Sequence, residues 1–321
     1  MKGLVLQKPD SYPVLKDFEL EDDNSKVKVR MIASAMNHRD VWITKGLYPG
    51  IKYPIILGSD GVGEYKGKRV VLNPGQGWGG DEAYQDLNFH ILGLPTNGTF
   101  AEEVMVIPHY IHEAPGHLSD VEAAALPLAG LTAYRALMVK ACPKPGDKVL
   151  VTGIGGGVAL FALQFASSLG LDVYVTSGSR EKIESAKRLG AKEGVIYKDE
   201  DWIRQLAKIN PAGFDIIIDG AGGSGFGNMM KVCNPGARMV IYGGTRGKIE
   251  SLNPQLIFWK QISVMGSTMG SEKDFKNMIE FVNKYKIKPV VDKVFRFDQA
   301  EEAFGRMDAM SQFGKIVFQN S

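Results

Sequence analysis

Between Lys148 and Gly170 the chain reads KVLVTGIGGGVALFALQFASSLG. An apolar run of β-forming residues ends in glycines, and these open without a break into a run of helix formers. The order strand, glycine turn, helix is the start of a βαβ unit. Small residues at such a turn let backbone amides approach a pyrophosphate at the helix N-terminus, where a side chain would hold it off. Gly153, Gly156 and Ala159 fall at i, i+3 and i+6, with Gly155 and Gly157 between them and Val158 following. Glycine turns without a ligand exist. Inside a βαβ pattern this one points to a dinucleotide.

The surrounding pattern is of that kind. From about residue 120, helix and strand signals alternate: SDVEAAALPLAGLTAYRALMV with Ser119 or Asp120 as N-cap, KVLVTG, DVYVTS, REKIESAKRLG, GVIY, DEDWIRQLAKI, FDIIIDG, a helical stretch around NMMKVC, and RMVIYGG. Nearly all-apolar strands separated by helices predict a parallel sheet covered on both faces. Before residue 120, short β-rich runs such as KVKVRMIAS, KRVVLN and FAEEVMVI are punctuated by Gly, Pro and Asn, as in an irregular β fold. The end of the chain is mixed, with ISVMGS and VVDKVFRF as strands and SEKDFKNMIEFVNKYKI and DQAEEAFGRMDAM as helices.

The end of DVYVTSGSREK selects the nucleotide. A carboxylate there would bond a ribose 2′-hydroxyl and mark NAD. The chain has Thr176, Ser177, Gly178, Ser179 and Arg180, then Lys182. Hydroxyls and cations suit a 2′-phosphate, which favours NADPH. In the other reading, Arg180 and Lys182 are the solvated first turn of the next helix, with Glu181 beside them.

Composition narrows the partners. Thirty-eight Lys and Arg against 36 Asp and Glu give a net charge of +2 without a block of like charge. The electrostatic footprint for nucleic acid or anionic lipid is missing, and no apolar stretch is long enough for a membrane helix. A cytoplasmic protein acting on a small molecule is expected. Cys142 and Cys233 form no CxxC pair, and either two buried thiols or one bridge fits.

These features, with LPLAGLTAY at 126–134 and the TGxxGGV turn, resemble the medium-chain dehydrogenase/reductase superfamily over essentially the whole chain, in particular its zinc-free quinone oxidoreductase and enoyl reductase branch. The resemblance implies an α/β protein in which a GroES-like β-rich catalytic domain, residues 1–124 and 258–321, clasps a Rossmann domain, a doubly wound parallel sheet at 125–257. The active site would be the cleft where they meet. A homodimer joined through the Rossmann sheet edge is also implied, with LIFWKQISVMG able to supply the contact.

The resemblance bears on metal. In the zinc alcohol dehydrogenases of this superfamily the first ligand is the cysteine of a CxxD-like motif and the second the histidine of GHE. Here those places hold Asn37, in NHRD, and Ser59, in GSDGVGE. The LPLAG segment lacks the third ligand, a cysteine. The loop NPGQGWGGDEAYQDLNFHILGLPTNGTFAE resembles the structural-zinc lobe but has no cysteine, and Trp78, Tyr84 and Phe89 are expected to hold it instead. A different site built from His38, Asp40, Asp60, Asp81 or His90 matches no metal spacing. No metal is expected.

Hydride transfer to an acceptor needing little Lewis-acid help then remains: a quinone, or a carbon-carbon double bond conjugated to a carbonyl. By resemblance, Asn37 would lie near the nicotinamide ribose, Thr132 and the backbone of Gly243 and Gly244 near the nicotinamide, and Lys182 and Tyr197 beside the 2′-phosphate, although Tyr197 equally fits a packed aromatic at a strand end. Tyr48, in GLYPG, matches the tyrosine of the enoyl thioester reductases, which donates to the substrate carbonyl or protonates the neighbouring carbon. Quinone reductases have a similar tyrosine that is chiefly a pocket wall, and a loop tyrosine anchoring the Pro49 turn is the alternative to the chemical role, which is the favoured one. Arg39 and Asp40 could each be a substrate contact, with an internal ion pair holding the segment against the second domain as the favoured reading, and His38 is read as structural. Two alternatives stand behind the apolar-acceptor reductase: a non-catalytic NADPH-binding redox sensor or structural protein, and a zinc alcohol dehydrogenase-like enzyme.

Overall fold

The computed structural model describes residues 1–20 and 23–319. It divides into two units, Met1–Leu131 with the segment beginning at Gly270, and Thr132–Met269. Both divisions fall later in the chain than the expected ones after 124 and 257. At the first, Ser119 caps the helix Asp120–Ala124, accepting from the Glu122 amide, and the Leu128 amide donates to Asp60 at 2.7 Å, which holds this stretch on the first unit. At the second, the strand Ser263–Gly266, expected in the C-terminal part of the catalytic domain, pairs in parallel with Cys233–Ile241 and extends the nucleotide-binding sheet. Its crossover is the helix Pro254–Lys260, whose N-cap Asn253 accepts from Gln255 and Leu256 and whose Lys260 ammonium donates to the carbonyls of Met230, Lys231 and Cys233.

The first unit is built on Val27–Ala35, a nine-residue strand. One edge pairs antiparallel with Asp60–Tyr65. The other is shared, its first half by Glu103–Val106 and its second by Lys315–Gln319. Strand Val291–Phe295 lies beside Lys315–Gln319 in parallel, with the helix Ala300–Asp308 as crossover. This register has a local consequence: Ala35 faces both Asp60 and Val317, and the Met36 amide donates to the Ile316 carbonyl at 2.9 Å. The beginning of the last strand is thereby laid against the turn that starts the helix His38–Thr44. Leu4, Leu6, Val41, Ile56, Phe100, Phe304 and Phe318 are fully buried around it, and the Phe100 and Phe318 rings meet edge to face at 5.2 Å. Burial of each such side chain contributes about 1.5–3 kcal/mol.

The second unit is a six-stranded parallel sheet in the order Ala191–Ile196, Asp172–Ser177, Lys148–Val151, Phe214–Asp219, Cys233–Ile241, Ser263–Gly266. The chain leaves Lys148–Val151 in one direction for two strands, then returns to its other side for three. That reversal makes a doubly wound sheet, whose ligand crevice opens at the carboxyl ends of the strands beside the switch. The two cysteines are free, Cys233 buried and Cys142 exposed, so neither a bridge nor a pair of buried thiols is formed. Among the described residues, no helix is long and apolar enough to cross a membrane.

Candidate functional site

At the switch, Lys148–Val151 turns through Thr152–Gly156 into the helix Gly157–Ser168, of which Gly157 and Val158 are the first residues. Gly153 has φ +64° and Gly155 φ +127°, conformations that L side chains rarely adopt. A Cβ on Gly153 or Gly156 would meet no atom within 4 Å, so the space before these backbones is open. The N-cap Gly156 offers no side-chain acceptor, and a helix N-terminus uncapped in this way is suited to an anion. The turn is pinned from behind. Thr152 Oγ1 donates to Asp219 at 2.5 Å, Asp219 accepts from the amides of Ala221 and Gly222, and Thr176 accepts from the Gly153 amide. Burial raises the Asp219 pKa, while its bonds to Thr152 and the two amides oppose the rise.

Around the end of Asp172–Ser177 the candidates separate. Ser177 is buried, its hydroxyl donating to Ile154 O and accepting from Ser179 N, so it holds the loop instead of facing outward. Arg180 is exposed on the first turn of the next helix. Lys182 lies along the glycine turn, with its Cδ 2.9 Å and its Nζ 3.4 Å from where a Cβ on Gly155 would stand. The Tyr197 hydroxyl is 2.7 Å from the equivalent point on Gly178, and Lys198 is beside it at 3.1 Å. Arg246 stacks over the Tyr197 ring, 4.7 Å from its centroid. The reading of the sequence did not reach Arg246 or Lys198, because nothing local in TRGK or YKDE signals a shared neighbour.

Gly243 approaches Gly220 so closely that a Cβ would lie 2.9 Å from the Gly220 carbonyl oxygen. Gly244 follows it, and the Arg246 amide donates to Ala221 O, so this loop runs along the one after Phe214–Asp219. Thr132 is buried, its hydroxyl 3.7 Å from the Met269 sulfur.

The first unit contains a compact polar group. Asn37 N-caps the helix His38–Thr44, and its own amide donates to Asp40 Oδ2 at 2.8 Å. Its side-chain amide donates to Asp60 Oδ2 at 2.9 Å and Ser59 Oγ at 3.3 Å, and its Oδ1 accepts from Lys315 Nζ at 2.5 Å. Lys315 also reaches Asp60 Oδ2 at 2.8 Å, in a pair almost wholly shielded from water. Asp40 has its pKa pushed up to about 6 by burial, with Arg39, the Asn37 amide and Lys315 opposing. Among the described residues, the expected Arg39–Asp40 ion pair is absent: Asp40 turns back to cap Asn37, while Arg39 donates to the Leu92 carbonyl at 3.0 Å and lies over the Tyr48 ring at 5.6 Å. Tyr48 is half-buried against the core. His38 packs edge-on against Trp42, and burial lowers its pKa.

In the lobe, Trp78 is buried against Phe89 with ring centroids 5.3 Å apart. Tyr84 is 63% exposed and does not anchor it. Glu82, accepting from Ser271 Oγ at 2.6 Å, ties the lobe down in its place.

Comparison with known proteins matches residues 23–116 to the family described as "Alcohol dehydrogenase GroES-like domain" and 157–284 to "Zinc-binding dehydrogenase". A zinc-type alcohol dehydrogenase-like protein YogA of Leptosphaeria maculans is 35% identical, over 92% of this chain and 90% of its own length. The chain belongs to the medium-chain dehydrogenase/reductase superfamily. Among solved structures of this superfamily, an NAD-dependent alcohol dehydrogenase is 34% identical, with both chains fully covered and a TM-score of 0.93. The quinone oxidoreductase from Thermus thermophilus, solved also in complex with NADPH, is 26% identical with a TM-score of 0.83, again over the whole of both chains. An oxidoreductase of this superfamily uses a nicotinamide cofactor, and the open backbone and uncapped helix of the glycine turn have the chemistry to fit a pyrophosphate.

A zinc ion does not fit this medium-chain dehydrogenase in the same way. Asn37 and Ser59 are weak donors for zinc, and the Lys315 ammonium already stands 2.8 Å from the one carboxylate that the Asn37 side chain bonds. A divalent cation there would meet a like charge at close range. Among the described residues, no group of three or more His, Cys, Asp or Glu side chains is arranged to hold a metal.

Proposed function

We propose that this medium-chain oxidoreductase is an NADPH-dependent, zinc-independent reductase of quinones or α,β-unsaturated carbonyl compounds. The carrying observation is the buried Lys315–Asp60–Asn37 group, in which the chain's own ammonium stands among the residues matching the zinc ligands. Bound dihydronicotinamide supplies the hydride. Asn37, Thr132 and the backbone at Gly243 and Gly244 orient its ring and ribose. The backbone of Gly153, Gly155, Gly156, Gly157 and Val158 holds the pyrophosphate, and Ser177 keeps the loop beside it in place. Lys182, Arg180 and Tyr197 receive the 2′-phosphate. Tyr48 holds the acceptor and gives a proton to it. An apolar acceptor of this kind needs positioning and exclusion of water more than it needs a Lewis acid.

A homodimer is part of the proposal. Ser263–Gly266 is an edge strand, Val264 on it is 36% exposed, and Phe258 and Trp259 on the preceding helix are exposed at 59% and 84%. An uncovered edge beside exposed aromatic side chains suits pairing with a second copy.

The test is oxidation of NADPH with 9,10-phenanthrenequinone and with a 2-alkenal, with NADH as control and zinc measured on the same protein. Turnover with NADPH and substoichiometric zinc is expected. The names of the related NAD-dependent and zinc-type alcohol dehydrogenases favour a second reading, alcohol oxidation with NAD, which stoichiometric zinc and ethanol-dependent NAD reduction would establish. Tight NADPH binding without turnover would make the protein a sensor or structural NADPH binder.

A further inference from the structure

Arg39 as a residue is only 8% exposed, yet among the described residues its guanidinium makes one hydrogen bond, to the Leu92 carbonyl, and its buried Nε has no partner. No carboxylate bridges it. Asp40, next in sequence, spends one oxygen on the Asn37 amide, and its other oxygen is itself buried without a partner. A buried guanidinium nitrogen left without a partner disfavours the folded state, so a fold that keeps one this way is expected to use the group. Two contacts fix its plane: the Leu92 carbonyl at one Nη, and the Tyr48 ring 5.6 Å below. The result is a rigid cation with unused N–H donors, next to the phenol already assigned to the acceptor.

We infer that Arg39 is a catalytic residue that stabilises the negative charge developing on the acceptor's carbonyl oxygen. The inference rests on the reductase reading above. As hydride from a reduced nicotinamide forms a C–H bond at the β-carbon, the C=C π pair moves to the α-carbon and the C=O pair onto oxygen, giving an enolate. The nicotinamide is oxidised by two electrons and the acceptor reduced by the same two. Guanidinium N–H donors bear that charge, and a proton from Tyr48 or water then closes the α-carbon. With a quinone the same charge falls on a quinone oxygen. Preorganised donors are worth most in a site closed to water, and although the Asp40 charge acts on this guanidinium, no ion pair ties up its donors among the described residues.

The test compares wild type with Arg39→Gln and Arg39→Lys, using the holoenzyme and trans-2-hexenal. Arg39→Gln is expected to lose about 100-fold or more in kcat, with NADPH Kd unchanged and the thermal midpoint no lower, and added guanidinium chloride at millimolar concentration is expected to restore part of the loss. Arg39→Lys retains a cation without the fork and is expected to fall between the two. Independently of turnover, trans-cinnamate, which carries its charge where the carbonyl oxygen would sit, is titrated by fluorescence quenching. Its binding is expected to weaken at least tenfold in Arg39→Gln. Wild-type-like turnover in Arg39→Gln, or unchanged cinnamate binding, overturns the assignment. So does a loss accompanied by a lowered thermal midpoint and not rescued by guanidinium, which would mark a structural role. A wild type that turns over no acceptor overturns the reductase reading itself, an outcome distinct from any variant result.

Discussion

Lys315 Nζ lies 2.8 Å from Asp60 Oδ2, and both side chains are sealed from solvent. The pair joins the last strand to the start of the strand Asp60–Tyr65, 255 residues apart in sequence.

Removing one member strands the other. Lys315→Leu is expected to destabilise the protein by about 3–5 kcal/mol, because Asp60 is left buried and charged. Lys315→Leu with Asp60→Asn should recover much of that loss. Urea midpoints of the two variants and wild type read it directly, and a double variant no better than the single one would refute the pairing energy.

Asp40 makes stability depend on pH with a definite sign. Its folded pKa, about 6, is above its unfolded value near 3.8, so the folded state binds the proton more tightly. Its contribution is fully present below about pH 4 and is lost as pH rises through 6, a fall of up to about 3 kcal/mol. Asp40→Asn cannot ionise and is expected to flatten this slope. Unfolding free energies at pH 4.5 and 7 measure the difference.

Arg246 and Lys182 are expected to discriminate between the cofactors. Arg246→Gln or Lys182→Gln should raise the Kd for NADPH about 10- to 100-fold, the worth of a lost charge-assisted hydrogen bond, and leave NADH within about threefold. Fluorescence titration with both nucleotides decides it; equal losses for the two would place these cations away from a 2′-phosphate.

Gly155→Ala tests the turn. With φ at +127° and a Cβ 2.9 Å from Lys182 Cδ, alanine strains the backbone and displaces the lysine. A stability loss of about 1–3 kcal/mol together with weaker NADPH binding is expected, from thermal melts and titration.

Val264→Lys puts a charge on the sheet edge. Light scattering after size exclusion is expected to give a dimer mass for wild type and a monomer mass for the variant. A wild-type monomer would remove the edge proposal.

The parallel sheet was legible because its strands are apolar on both faces and its helices are delimited by glycines and caps; Lys148–Val151, Phe214–Asp219 and Gly157–Ser168 lie where the pattern puts them. The assignment of Ser263–Gly266 was not legible, since a short apolar run does not say which sheet it will join. Tyr84 shows the same limit for a side chain: an aromatic residue in a loop reads as an anchor, yet this one is exposed and an acidic neighbour makes the tie.

Local sequence by itself determined the glycine turn and the alternation that builds a doubly wound sheet. Those are properties of neighbouring residues, set by backbone conformation and periodicity. Only the tertiary structure decided that Lys315 enters the Asn37–Asp60 group, that Arg246 covers Tyr197, and that Arg39 turns from Asp40 to Tyr48. Each depends on strand register, crossover geometry or the direction of a side chain within a packed core, and bonds of 255 and 278 residues' separation leave no periodic trace in the chain that makes them.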